Sequence, residues 1–293
     1  MATQNFGPGG VNNASRTGPL GQIGAKLGLY EQESVQSCEL GSPKVFADGR
    51  VYRYSHFSAA VAVGKLVSQD VSLTAAGPLT SRLSDSVSVA KDDYAIGDTR
   101  IYLYDTNTFP STVVANTFAG GYFRLTVNAG IGFQYTIKNS SAGSDTAPMS
   151  IDLYDPLAAD LDSETGFSIT GHPYRNLIIA TTTDPLVCGV TMYGMTAAYY
   201  GWTQTWGWAT VLCDESAGTI AKGGIAQLSD GVSGAAQPLG GGYVSYISSE
   251  TLIVSDLTLQ YTGLTNAGPI IGYFGEAGVD AQYHPVFLQI QGG

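Results

Sequence analysis

The stretch YYGWTQTWGWATVL, residues 199–212, carries five aromatic rings in its first ten residues, with glycine at 201 and 207 and no charged side chain. Aromatic and β-branched residues in alternation read as a strand, because successive side chains on an extended backbone point to opposite faces. Strict alternation places Tyr200, Trp202, Gln204 and Trp206 on one face and Tyr199, Gly201, Thr203 and Thr205 on the other. Gly207 permits a bulge, after which Trp208-Ala209-Thr210-Val211-Leu212 continues in an offset register. A face of stacked rings serves as core, as a subunit contact or as a ligand platform, since Trp and Tyr bury large areas while keeping a polar handle.

The same signature runs outward in both directions. KVFADGRVYRYSHF places Asp48-Gly49 between two alternating runs, a hairpin signal of the type I′ kind. In TRIYLYD, Ile101 and Leu103 share one face and Tyr102 and Tyr104 the other. GGYFRLTVNAGIGFQYTIKNSSAG reads as two strands around Asn128-Ala129-Gly130, and MSIDLYDP as a strand stopped by Pro156. NLIIATTT, LVCGVTMYG, GGIAQLS, GGGYVSYI, TLIVSDLTLQYTG, GPIIGYFG and HPVFLQIQ continue the series. Roughly fifteen strands at a spacing near ten residues predict an all-β fold of sandwich- or barrel-like lobes. No amphipathic helix of twelve residues is present in the pattern.

Residues 1–42 depart from it. NFGPGGVNNASRTGPLGQIG has no strand alternation, and the helical spacing of Leu20, Ile23 and Leu27 is broken by Gly21, Gly24 and Gly28. This predicts an extended N-terminal arm that orders only against something else, with Leu20, Ile23 and Leu27 as contacts. Pro156, the acidic residues after it and His172-Pro173 suggest a boundary, giving an arm (1–42), a first β lobe (43–160) and a second (161–293).

Composition narrows the function. Of 293 residues only 13% are charged, against about 25% in an ordinary globular chain. The net charge of −11 argues against nucleic-acid binding, which needs cations to displace counterions. Residues 1–65 hold six cations and four acids, +2, which leaves −13 for the rest, so a basic leading segment and an acidic body can attract each other. Cys38, Cys188 and Cys213 lack the clustered spacing of a zinc site. The N-terminus has no basic and apolar signal-peptide pattern, and no run approaches a membrane helix, so synthesis in the cytoplasm without membrane partners is expected.

Chemistry-bearing motifs are sparse. His56, His172 and His284 are isolated and no G-x-S-x-G elbow accompanies them, so no catalytic set is assigned. Asp160-x-Asp162-x-Glu164 imitates the opening of a calcium loop, but Thr165 and Gly171 stand where that loop needs Gly and Glu; it is a weak metal candidate against a solvated acidic loop. Phosphate-cradling motifs are missing, and no cofactor is expected.

The phrases SAAVAVGKLV (residues 58–67), YYGWTQTWGWATVL and GPIIGYF…VFLQI (residues 268–290) resemble head decoration (cement) proteins and related structural proteins of tailed bacteriophages. The likeness covers about residues 50–68 and 186–293 and finds no counterpart for 70–170. It implies a virion location and a non-enzymatic role. The partners it implies are the major capsid protein and other copies of the chain, often as a trimer. The contacts would be the arm and the face of Tyr200, Trp202, Gln204, Trp206 and Trp208. The alternative is a carbohydrate-binding head fibre or receptor-binding module in which Trp202, Trp206 and Trp208 stack on sugars.

Overall fold

Antiparallel pairing accounts for every strand of the protein in the computed structural model, which describes residues 27–70, 81–82, 94–103, 113–143, 149–161, 165–181, 186–239 and 268–290. The fold is all-β, in curled sheets, with no helix among the described residues and so none long and apolar enough to cross a membrane. Residues 1–69 with 176–293 form one compact unit, and residues 70–175 form a second. The expected succession of two lobes is thereby corrected. The second unit interrupts the first, and strands from 43–69 pair with strands beyond 176, because strand pairing follows edge complementarity and not chain order.

Among the described residues the larger unit holds ten strands. They are β1 (Pro43–Val45), β2 (Val51–His56), β3 (Leu66–Gln69), β10 (Leu177–Ile179), β11 (Val187–Thr191), β12 (Tyr200–Leu212), β13 (Ile225–Leu228), β14 (Ala236–Pro238), β15 (Ile270–Phe274) and β16 (Tyr283–Gln289). Their order is β10-β3-β11-β12-β16-β15-β13-β14, with β2 also paired to β12 and β1 to β2. β12 is the spine: its first half pairs with β2 and β11, and its second half with β16. One face closes over Leu66, Val190, Val211, Ile271, Phe274, Val286 and Leu288, all buried. The smaller unit holds β4 (Ser81–Arg82), β5 (Arg100–Leu103), β6 (Tyr122–Val127), β7 (Gln134–Ser140), β8 (Met149–Leu153) and β9 (Gly166–Thr170), in the order β4-β9-β6-β7-β8-β5. Its core is Ile101, Phe118, Phe123, Ile137, Ile151, Phe167 and Ile169. Ile101 and Leu103 point into that core and Tyr102 away from it, as alternation predicts.

Two local expectations change. The β1–β2 hairpin exists, but its connection is Phe46–Arg50, with Gly49 N–H donating to Phe46 O and Phe46 N–H to Arg50 O. Gly49 has positive φ (85°) and Asp48 does not, so the turn is a type I turn closed by a bulge rather than type I′. The second concerns the arm expected over residues 1–42, of which the structure describes residues 27–42. Residues 27–42 lie on the chain's own sheet, where Leu27 and Leu40 are buried; Leu20 and Ile23 lie outside the described residues, as do GGGYVSYI and TLIVSDLTLQYTG.

Candidate functional site

The fate of the aromatic stretch is decided by one extra residue. In the register of β12 with β2, Gln204 pairs with Tyr52 and Trp206 with Val51, leaving Thr205 unmatched. Directly paired residues share a sheet face, and Val51 and Tyr52, as neighbours in a strand, face opposite ways. Trp206 is therefore on the opposite face from Gln204. The single-face stack of Tyr200, Trp202, Gln204 and Trp206 is overturned by this bulge, and Trp206 joins Trp208 instead. Gly207, with φ of 85°, sits against Arg50, whose Cγ would be 3.1 Å from an added Cβ. The left-handed backbone conformation favours glycine there, and the close approach leaves an added Cβ little room.

Upstream of the bulge the rings are interior. Trp202 is 3% exposed; its Nε1 donates to Leu27 O (3.1 Å), Lys44 Nζ lies 4.9 Å above the ring, and Tyr54 meets it edge-on at 5.5 Å. Tyr54 stacks on Tyr200 at 5.7 Å, and His56 packs against Tyr200 at 4.8 Å. Burial drives the Tyr54 phenol well above its ordinary range, with the Glu33 carboxylate adding to the shift, and lowers the Lys44 ammonium. Gln204 is fully buried and its Nε2 donates to Trp206 O (3.0 Å) and Trp208 O (2.8 Å). The amide thus supplies a donor to carbonyls displaced by the bulge. Trp202 and Gln204 hold the sheet together and are not available to a partner.

Downstream of the bulge the rings are on the surface. Trp208 is 54% exposed, Tyr283 46% and Tyr273 42%. Tyr273, Phe287 and Trp208 are direct cross-strand partners on β15, β16 and β12, forming one row. Phe287 stands edge-on to both Trp208 (5.3 Å, 79°) and Trp206 (6.0 Å, 73°). The indole of Trp208 lies over Gly275, where a Cβ would come within 2.6 Å of Cζ3, so the glycine provides its seat. Strands β12, β13, β15 and β16 carry no charged residue, and in the whole ten-stranded sheet only Lys44 and Arg53 are charged.

The six-stranded sheet is built differently. Its strands carry Arg82, Arg100, Arg124, Lys138 and Asp152. Arg100 makes a two-pronged pair with Asp152 (2.6 and 3.0 Å), which holds that carboxyl below its usual range. Arg124 bonds Gln134 (2.7 Å) and Thr170 (2.8 Å).

Phe287 and Tyr273 were missed as members of the surface aromatic row. HPVFLQ and GPIIGYF read simply as strands, and nothing in the sequence joins Phe287 to a tryptophan some eighty positions earlier. Of the acidic triplet, Asp160 is exposed and accepts a hydrogen bond from Ile96 N–H (2.8 Å), while Asp162 and Glu164 lie outside the described residues. His56 bonds Asn176 (3.0 Å) and His284 accepts from Val279 N–H (2.8 Å). Burial, with Arg175 nearby, lowers His172 to about 4. Among the described residues there is no group of three or more His, Cys, Asp or Glu placed to hold a metal. No protein-family model, curated protein or solved structure matches the chain.

Proposed function

We propose that the chain is a virion structural protein of a tailed bacteriophage, a decoration protein that binds neighbouring capsid subunits and stabilises the shell. The observation that carries this reading is the contrast between the two sheets. The six-stranded sheet carries charged side chains, with Arg100 paired to Asp152 and Arg124 bonded to Gln134, as a surface built for water does. The ten-stranded sheet, in a chain of net charge −11, puts Trp208, Tyr273, Tyr283 and the half-buried Trp206 and Phe287 on strands without a charge. An uncharged aromatic face is the composition of the centre of a protein contact, where charged residues are depleted and rings enriched. On a shell, many such contacts act together and the avidity multiplies. The phrase-level resemblance to decoration proteins points the same way. A sugar platform is the weaker reading, because Phe287 stands nearly perpendicular to both tryptophans and the three rings share no common plane.

The test is sedimentation of a phage lysate on a density gradient, with mass spectrometry for this chain. Co-migration with DNA-filled particles at many copies each is expected. Recovery only as a free species at the top of the gradient refutes a virion role.

A further inference from the structure

Residues 27–38 cross the larger unit as a strap that is attached almost entirely by polar bonds. Gln32 and Thr196 bond reciprocally, Nε2 to Oγ1 (3.0 Å) and Thr196 N–H to Oε1 (2.8 Å). Glu33 and Tyr200 exchange both backbone hydrogen bonds (3.0 and 2.8 Å). The Glu33 carboxylate accepts from the Tyr54 and Ser37 hydroxyls, and Leu27 O accepts from Trp202 Nε1 and Lys44 Nζ. Leu27 is the one buried side chain of the strap; Tyr30 and Val35 are exposed. Beneath it lies the cluster of Tyr54, Tyr200 and Trp202. The strap and its seat are matched in charge as well. Residues 27–38 carry Glu31 and Glu33 and no cation; Lys44 on the sheet donates to Leu27 O at the start of the segment, and Arg53 donates to Gly41 O in the connection that follows it. A turn closed by Ser42 N–H to Glu39 O, with Gly41 at φ 76°, joins it to β1.

A segment with one buried apolar side chain opens more easily than the sheet it covers. We propose that residues 27–38 exchange between copies, the strap of one chain occupying the Tyr54–Trp202 seat of another. The contacts that residues 27–38 make with the sheet are then made identically in trans, and the exchange costs the connection through residues 39–42, where Leu40 is buried and Gly41 N–H donates to Tyr54 O (2.8 Å). That connection gives the strap an effective concentration of order millimolar at its own seat. Exchange therefore becomes competitive where copies are packed at comparable density. It stands independently of the virion reading, since it rests only on the strap and its seat.

The full-length chain carrying Gln32→Cys, Thr196→Cys and Cys38→Ser reports the partnership directly. Isotopically heavy and light preparations are mixed, oxidised at about 10 μM and at about 1 mM, the millimolar scale of the tether, and mapped by peptide mass. The expected result is an internal 32–196 bridge at the lower concentration and heavy–light 32–196 bridges between chains at the higher. Internal bridges alone at both concentrations overturn the proposal, as do intermolecular bridges confined to 32–32 pairs. Hydrogen exchange on the unmodified chain is the second measurement. The amides of Glu33 and Tyr200 are expected to exchange at least tenfold faster than those of Ala209 and Val211. Equal protection means the strap does not lift, and also overturns the proposal.

Discussion

Trp202 and Trp208 belong to one strand and one sequence phrase, and replacing each with alanine should have sharply different consequences. Trp202 is 3% exposed and lies in a closed aromatic cluster. Its removal deletes a ring and leaves a cavity, a loss of about 3–5 kcal/mol for large aromatic residues. Trp208 is 54% exposed. Fully buried aromatics cover roughly 150–250 Å², so a little under half of that, about 90 Å², is covered here. At ~25 cal/mol/Å² this is worth at most about 2 kcal/mol. With a shift of about 2–4 °C per kcal/mol for chains approaching this size, Trp202→Ala should lower the melting temperature of the larger unit by roughly 6–20 °C, centred on about 12 °C. Trp208→Ala should lower it by at most about 4–8 °C on the same scale. Scanning calorimetry reads both shifts. Equal shifts, or a larger one for Trp208→Ala, would refute the bulge-based face assignment. The binding readout should invert the order: Trp208→Ala stays folded but is depleted from the particle fraction of a density gradient.

Gln204→Met keeps the length of the side chain and removes the donor shared by Trp206 O and Trp208 O; about 2–4 kcal/mol should be lost if both carbonyls are left short of a partner, and an unchanged denaturant midpoint would show that the amide does not hold the bulge. His172 should make the smaller unit acid-sensitive. Its folded-state value, lowered to about 4 from 6.5 by burial, means that the unfolded chain binds the extra proton first. Stability is then complete above about pH 6.5, falls as the pH drops towards 4 and levels below it, a total of about 3 kcal/mol. His172→Gln should flatten that limb in denaturant titrations at pH 7, 5.5 and 4.5; a slope identical to that of the parent would remove His172 as its source.

Most of the strand pattern was readable because a two-residue period needs no partner to be seen. Ile101, Leu103 and Tyr102 show it: each points where alternation places it. The Asp48-Gly49 turn was located but not typed, since turn type depends on φ at Asp48, and the flanking pairing sets that. The unit boundary at residues 69 and 175 was hidden because the pairing of β2 with β12 spans some 150 positions that local patterning does not connect. The surface aromatic face was half legible. Trp206 and Trp208 were in view from the sequence, and Phe287, Tyr273 and the glycine beneath Trp208 were not.

The sequence by itself determined that this chain is all-β, poor in charge and rich in aromatic strand residues, because composition and alternation are local properties. Which rings are core and which are surface depends on long-range strand pairing. That choice rests on Thr205, the single residue unmatched between β2 and β12, and an extra residue in one strand is defined only once its partner strand is in place.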